Sequence, residues 1–166
     1  TRLRLLWEAA EIVLVAADPD QMLHRLFARI APELEVDAYF NFMLEENGRA
    51  LRLMSCAGID EVEARAMAKI ELGQAICGRV AEQRRPLVAN AIQDSREPHE
   101  QAVRDLGLRA YACNPLLAGD RLLGTLGFGS RTRDRFEADE LEFFETIARY
   151  VTAAYQQLRF VEELRE

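Results

Sequence analysis

An α+β fold built on antiparallel strands is what this sequence predicts, on three observations. Two pairs of apolar, β-rich runs are joined by tight-turn sequences, Asn47-Gly48 in the first and Ala118-Gly119-Asp120-Arg121 in the second, which is the signature of β-hairpins. Helical patterns open and close the chain. Both hairpins carry apolar residues on both faces, so the sheet they form needs cover on each side.

The first helical pattern repeats apolar residues at alternating spacings of three and four: Leu3, Leu6, Ala10, Val13 and Ala17, with Trp7 and Leu14 beside them. That is a heptad-like seam. Asp18-Pro19-Asp20-Gln21 stops it and starts a second helix, with Asp18 as N-cap, Pro19 at the first position and Gln21 closing a capping box. Met22, Leu23, Leu26, Phe27, Ile30 and Leu34 form its stripe. Strands follow over 37–46 and 49–57. Pairing Glu46 with Arg49 sets Phe40, Phe42, Leu44, Leu51, Leu53 and Ser55 on one face, and Tyr39, Asn41, Met43, Met54 and Cys56 on the other.

Residues 59–68 read as a short helix, 73–83 as a loop entering another, 86–89 as a short strand, 90–98 as a polar loop, and 99–106 as a short helix ended by Gly107. In the second hairpin, pairing Ala118 with Arg121 puts Tyr111, Cys113, Leu126 and Phe128 together. Ala110, Ala112, Asn114, Thr125, Gly127 and Gly129 then form a stripped opposite face that a helix or ligand can approach closely. Residues 137–166 read as one long helix, with Phe144, Ile147, Val151, Ala154, Leu158 and Val161 as a second seam. At ~1.5 Å per residue it reaches ~45 Å, more than a small sheet needs, so the surplus is expected to bury against another chain.

Size and composition narrow the function. The chain has 166 residues, 49% hydrophobic and 30% charged, as one globular domain requires. No apolar run approaches the ~18 residues of a membrane span, and the N-terminal segment carries charges at helical spacing rather than a signal-peptide core. A net charge of −7, with basic residues clustered only at Arg84-Arg85 and between Arg131 and Arg135, argues against nucleic-acid binding. Cys56, Cys77 and Cys113 include no CxxC pair. A structural zinc site is therefore not supported, and an odd cysteine count without a secretion signal fits the cytoplasm. No Ser-His-Asp ordering, HExxH or P-loop occurs. The glycine-rich run Gly124 to Gly129 lacks the phosphate-loop lysine and lies in a strand pattern.

The chain resembles the GAF domain, a small-molecule sensor found in bacterial signalling proteins and cyclic-nucleotide phosphodiesterases. The resemblance rests on Asp37-Ala38-Tyr39-Phe40, on Gly73-Gln74-Ala75-Ile76-Cys77-Gly78-Arg79-Val80, on Arg85-Pro86-Leu87-Val88, and on Pro115-Leu116-Leu117 through Leu122-Leu123-Gly124-Thr125-Leu126 to Phe136. Together these span about the whole chain. The resemblance implies one domain over 1–166, with an antiparallel sheet of five to six strands. Terminal helices, 1–17 and 137–166, would cover one face and serve dimerisation and signalling. Short helices and loops would roof a ligand pocket on the other. Phe136 and Asp139-Glu140 match part of the cyclic-nucleotide motif, but no Asn-Lys dipeptide occurs. Cys113 is followed by Asn114 in a strand, not by the histidine of many bilin-binding members. Neither cofactor is implied, and the ligand is unknown.

Candidate ligand-binding residues are Phe40, Phe42, Ser55, Ile76, Cys77, Asp94, His99, Val103, Tyr111 and Cys113. The aromatic rings either line a cavity for a flat or apolar ligand or are simple core. Cys77, near a helix start, is either a reactive thiol or a small buried hydrophobe. Cys77 and Cys113 would form a redox pair or soft-metal site if the fold brings them together. His99 either meets an anionic ligand or sits solvated at the surface. Arg104 and Arg109 pair with a ligand carboxylate or with Glu100 and Asp105. The expected dimer interface is Leu3, Leu6, Ala10, Val13, Phe144, Ile147, Val151, Ala154, Leu158 and Val161.

The function expected is non-catalytic small-molecule sensing in a bacterial signal-transduction protein of the sensor histidine kinase kind. The expected partners are a second copy and an unidentified small molecule, with no membrane contact. The alternatives are a ligand-free dimerisation scaffold and, from another class, an enzyme resembling the free methionine sulfoxide reductases, which share this fold and use cysteines.

Overall fold

The computed structural model describes residues 2–165, and side chains for 2–158. Six antiparallel strands form one sheet in the order β3-β2-β1-β6-β5-β4. The elements run α1 (Arg2–Leu14), α2 (Pro19–Leu34), β1 (Ala38–Leu44), β2 (Ala50–Ala57), α3 (Glu61–Ala66), β3 (Lys69–Glu71), α4 (Ala75–Gln83), β4 (Leu87–Ala89), α5 (Gln101–Asp105), β5 (Ala110–Ala118), β6 (Arg121–Ser130) and α6 (Ala138–Arg165), with 3-10 turns at Ile92–Asp94 and Pro98–Glu100. The short edge strand β3 carried no legible signal. Asp18 caps α2 by accepting from the Asp20 N–H (2.9 Å). Gln21 does not close the expected capping box at α2; a reciprocal box forms instead at α3, between Asp60 and Glu63.

Both expected turn registers hold near the turns. Phe42 faces Leu53 and Leu44 faces Leu51, and Ala118 faces Arg121. The first connection is wider than a two-residue turn: Gly48 donates to the Glu45 carbonyl, and Glu45 N–H to that of Ala50. Farther from the turns each hairpin carries a bulge, which inserts one residue and reverses the faces beyond it. In β2 the extra residue is Met54, so Ser55 opposes Asn41 rather than Phe40. Ser55 therefore leaves the expected ligand face and hydrogen-bonds Tyr39 Oη on the terminal-helix side (2.6 Å). In β6 it is Leu123, so Cys113 opposes Gly127 and Ala112 opposes Phe128. Leu126 and Phe128 join the helix-side core, while Thr125, Gly127 and Gly129 share the face of Tyr111 and Cys113, the reverse of the unbulged expectation.

Two apolar cores result, one on each side of the sheet. On one side α1, α2 and α6 pack onto Tyr39, Ala110, Ala112, Leu126 and Phe128. Ala110 and Ala112 let α6 approach, and Phe128 stacks on Phe144 (4.9 Å between centroids, 16° between planes). On the other side α4, α5 and the 3-10 turns roof Phe40, Phe42, Tyr111 and Cys113.

The helix-side core corrects the expected dimer seam. Phe144, Ile147, Val151 and Ala154 are at most 5% exposed and belong to this chain's own core. Leu6 and Val13 pack partly against it, Ala10 and Leu158 are half-buried, and Leu3 is 80% exposed. The Val161 side chain lies outside the described residues. Packing against the sheet claims the stripe because α6 must bury an apolar face somewhere, and the sheet is adjacent in sequence.

The start of α6 is held by Arg133. Its guanidinium donates to both carboxylate oxygens of Glu140 (2.5 and 2.7 Å) and lies over the Phe136 ring (5.4 Å). Glu140 also accepts from the Glu137 N–H (2.7 Å). Desolvation works against the Glu140 anion, but the Arg133 and Glu137 hydrogen bonds outweigh it and hold its carboxyl below the ordinary 4.5.

Two outcomes follow. Val151→Ala should cost about 2 kcal/mol, read by denaturant unfolding and independent of protein concentration; a cost that vanishes on dilution would restore the seam reading. The stabilising effect of Glu140 over Glu140→Gln should be fully present above the ordinary carboxylate range. It should shrink as pH falls through the depressed folded-state value. A difference that grows on acidification would contradict the pairing.

Candidate functional site

The roofed core contains the chain's one buried dithiol among the described residues. Helix α4 begins at Ala75, whose backbone is left-handed (φ 57). Gly78 lets the helix nest closely: an added Cβ would lie 2.4 Å from the Glu71 carbonyl oxygen. This seating puts Cys77 over the central strands. Its Sγ lies 3.6 Å from Cys113 Sγ on β5 and 3.2 Å from Tyr111 Oη. The Tyr111 ring lies across Gly127, where an added Cβ would sit 1.9 Å from Oη, and tilts against Phe40 (6.0 Å between centroids). Thr125 Oγ1 is buried beside the thiols and makes no hydrogen bond of good geometry.

The two thiols are electrostatically unequal. The hydrogen bond from Cys113 stabilises a Cys77 thiolate; burial opposes this, and the Tyr111 hydroxyl supports it, so the Cys77 thiol is pulled down. Cys77 also sits in the first turn of a helix, where the backbone dipole favours negative charge. Burial pushes Cys113 up, and its hydrogen bond to Cys77 adds to that. Tyr111 is likewise raised by burial and by the neighbouring sulfurs. The arrangement is a more acidic sulfur flanked by two groups that keep their protons. Such a pair can undergo thiol–disulfide chemistry or bind a soft group.

Of the residues singled out in the sequence, Phe40, Phe42, Ile76, Cys77, Val103, Tyr111 and Cys113 meet in this core. Ser55 does not, because of the Met54 bulge. Asp94 is exposed and lines a surface depression of about 410 Å³ with Gln93, Ser95, Arg96, Gln101 and Arg104. His99 is half-buried in the second 3-10 turn, 3.9 Å from a Glu97 carboxylate oxygen and 3.7 Å from one of Glu100. Arg109 is committed to a two-pronged pair with Asp134 (2.9 and 2.8 Å), and Arg104 donates to Gln101 Oε1 (2.8 Å). Sequence reading missed Thr125, which the Leu123 bulge brings to the dithiol, and Glu100, a roof carboxylate only 9% exposed. Neither carries a local signal: one depends on a bulge and the other on how the roof seats. No cluster of three or more metal-ligating side chains occurs among the described residues, and no helix there is long and apolar enough to cross a membrane.

The strands of this core also touch the helices. Asn41, fully buried between Phe40 and Phe42 in sequence, points to the opposite face. There it donates to the Thr125 carbonyl (3.0 Å) and accepts from Tyr155 Oη of α6 (2.6 Å). Tyr39 bonds Ser55 and meets His24 Nδ1 of α2 (3.2 Å). Burial pushes Tyr39 up to about 12 against the pull of the Ser55 hydrogen bond, so it stays a neutral hydroxyl linking sheet to helix.

Gly127→Ala should displace Tyr111 from the dithiol and destabilise the fold by about 2 kcal/mol. In a double-mutant cycle with Tyr111→Leu the losses should be strongly sub-additive. Simple additivity in chemical denaturation would show that the ring does not depend on the missing Cβ.

Solved structures with this fold come from several proteins. The GAF domain of a phosphoenolpyruvate-protein phosphotransferase from Coxiella burnetii is 21% identical and superposes with a TM-score of 0.82, covering 98% of this chain and 96% of that one. A free methionine-R-sulfoxide reductase from Neisseria meningitidis, solved with its substrate, is 15% identical with a TM-score of 0.81, covering 96% and 91%. A domain described as part of a two-component sensor histidine kinase from Sinorhizobium meliloti is 20% identical with a TM-score of 0.71, covering 89% and 97%. At these identities the likeness is one of fold. No protein of curated function matches the chain. Residues 16–156 match the GAF domain family, and with the six-stranded sheet and its roofed core this means that the chain belongs to the GAF domain family.

Proposed function

We propose that this chain is a non-catalytic sensory module of a bacterial signal-transduction protein, of the sensor histidine kinase kind. In this reading a small molecule enters the roofed core around Phe40, Phe42 and Tyr111, and α6 carries the change to an output domain. One observation carries it: Phe40 and Phe42 belong to the roofed core, while Asn41 between them holds Tyr155 of α6. Any movement that opens the core around the two rings shifts the backbone holding Asn41. A ligand works this switch only through a different affinity for the two arrangements of α6. The sensor kinase domain that shares the fold supports the choice of output.

Homodimerisation is part of the proposal. Leu3, Trp7 and Leu14 lie on one side of α1 and are 80%, 66% and 80% exposed, and a paired α1 of a second copy would cover them. Trp7→Glu should then lower the sedimentation coefficient at micromolar protein while leaving the unfolding midpoint of the monomer within a few degrees. An unchanged coefficient removes α1 from any interface.

A second reading, a thiol-dependent sulfoxide reductase, is favoured by the Cys77–Cys113 approach and by the fold shared with the Neisseria enzyme. A metabolite screen by thermal shift, followed by hydrogen exchange in α6 with wild type and Asn41→Ala, decides between them. The sensory reading expects a hit that alters α6 exchange in wild type and binds Asn41→Ala without doing so. Catalytic turnover of free methionine sulfoxide with a dithiol reductant would replace it.

A further inference from the structure

We propose that Cys77 and Cys113 form a reversible disulfide inside the roofed core, with a small hydroperoxide as oxidant, and that this bond is a signal passed to α6. The inference deepens the sensory reading and rests on it for the role of α6.

Geometry is the first support. The sulfurs come from elements far apart in sequence, the first turn of α4 and strand β5, and stand 3.6 Å apart with no side chain between them. A disulfide needs about 2.05 Å, so a shift of ~1.5 Å in a helix end suffices. The two other groups at the pair, Tyr111 Oη and Thr125 Oγ1, are hydroxyls, so no carboxylate repels a developing thiolate.

The chemistry balances with the oxidant named. The Cys77 sulfur attacks the outer oxygen of the hydroperoxide. An S–O bond forms, the O–O bond breaks, and the alkoxide leaves as the alcohol with the Cys77 proton. The product is a sulfenic acid on Cys77. The Cys113 sulfur then attacks the Cys77 sulfur; the S–S bond forms, the S–O bond breaks, and hydroxide departs as water with the Cys113 proton. The two thiols lose two electrons in total and the peroxide gains them. The roles follow the unequal pair: Cys77 is the more acidic sulfur and Cys113 keeps its proton until the second step.

Burial sets the oxidant class. Cys77 is 5% exposed and Cys113 is fully buried, so the pair admits a peroxide and excludes a bulky disulfide such as oxidised glutathione. Cys56 is half-buried at the margin of this core, opposite Phe40, and also lines a groove with His24 and Met54. Burial raises its thiol, which makes it an internal control. Drawing α4 toward β5 displaces the Tyr111 ring, which is confined by Gly127 and Phe40. Phe40 precedes the Asn41 that holds Tyr155 of α6.

The test treats the full chain with hydrogen peroxide, then counts alkylatable thiols after denaturation and maps crosslinked peptides. Expected are a fall from three free thiols to one, a Cys77–Cys113 peptide, restoration by dithiothreitol, no such peptide with oxidised glutathione, and in Cys56→Ser the same peptide with both remaining thiols lost. Hydrogen exchange in the α6 segment should differ between the reduced and oxidised forms. Three remaining thiols, oxidation confined to Cys56, or Cys77 carried to sulfinic acid would overturn the inference. A disulfide that leaves α6 exchange unchanged would overturn its signalling role. Peptide mapping is done on wild type, so a Cys77→Ser or Cys113→Ser variant that fails to fold does not weaken the result. A metabolite that still shifts the unfolding midpoint of Cys77→Ser/Cys113→Ser would leave the broader sensory reading standing while this one falls.

Discussion

Strands β1, β5 and β6 each serve two cores at once, and the rest of the molecule depends on that double duty. Side chains alternate across a strand, so Phe40 and Phe42 face the roof while Tyr39 and Asn41 face the terminal helices. Neither face is exposed to water, and neither core can change volume without the shared backbone moving. A close-packed interior transmits such a displacement rather than absorbing it. The sheet is thus both a wall and a mechanical link, and the polar groups of Asn41, Tyr155 and Tyr39 fix where the helices grip it.

The bulges at Met54 and Leu123 set what each core contains. Without them Ser55 would lie among the aromatic rings, and Leu126 and Phe128 would crowd Tyr111. With them, glycine and threonine lie beneath Tyr111 and the bulky residues lie beneath α6. Gly127 leaves room for the Tyr111 ring, the ring's hydroxyl reaches Cys77, and α4 seats the sulfur against Cys113. The dithiol therefore depends on a backbone irregularity several residues from either cysteine.

Burial and electrostatics then distinguish two thiols that composition treats alike. Cys77 gains a hydrogen-bond donor and a helix N-terminus; for Cys113, burial and the proton it gives to Cys77 outweigh the opposing pull of the Thr125 and Tyr111 hydroxyls. The roof is more polar at its rim, where His99 sits between the carboxylates of Glu97 and Glu100. An apolar interior with a polar rim suits entry of a small, weakly polar molecule.

Local chemistry along the chain set the elements and most of their order. Hairpin turns, caps and amphipathic stripes are local, and the Ala118–Arg121 pairing, the Asp18 cap and the long final helix all appear where local chemistry put them. That Phe40 shares a face with Phe42, and Tyr111 with Cys113, was also legible, because the extra residues fall in β2 and β6 and leave the period-two alternation of β1 and β5 intact; that the two pairs meet in one core followed from the family resemblance. Tertiary structure decided the remainder. A bulge adds one residue with no compositional mark, so the faces of Ser55, Thr125, Gly127 and Phe128 emerged only from strand pairing. The heptad-like stripe of α6 fits a sheet as well as a partner helix, since both bury the same spacing, and proximity chose the sheet. The 3.6 Å approach of Cys77 to Cys113 joins residues 36 positions apart, and only the seating of α4 on the sheet brings them together.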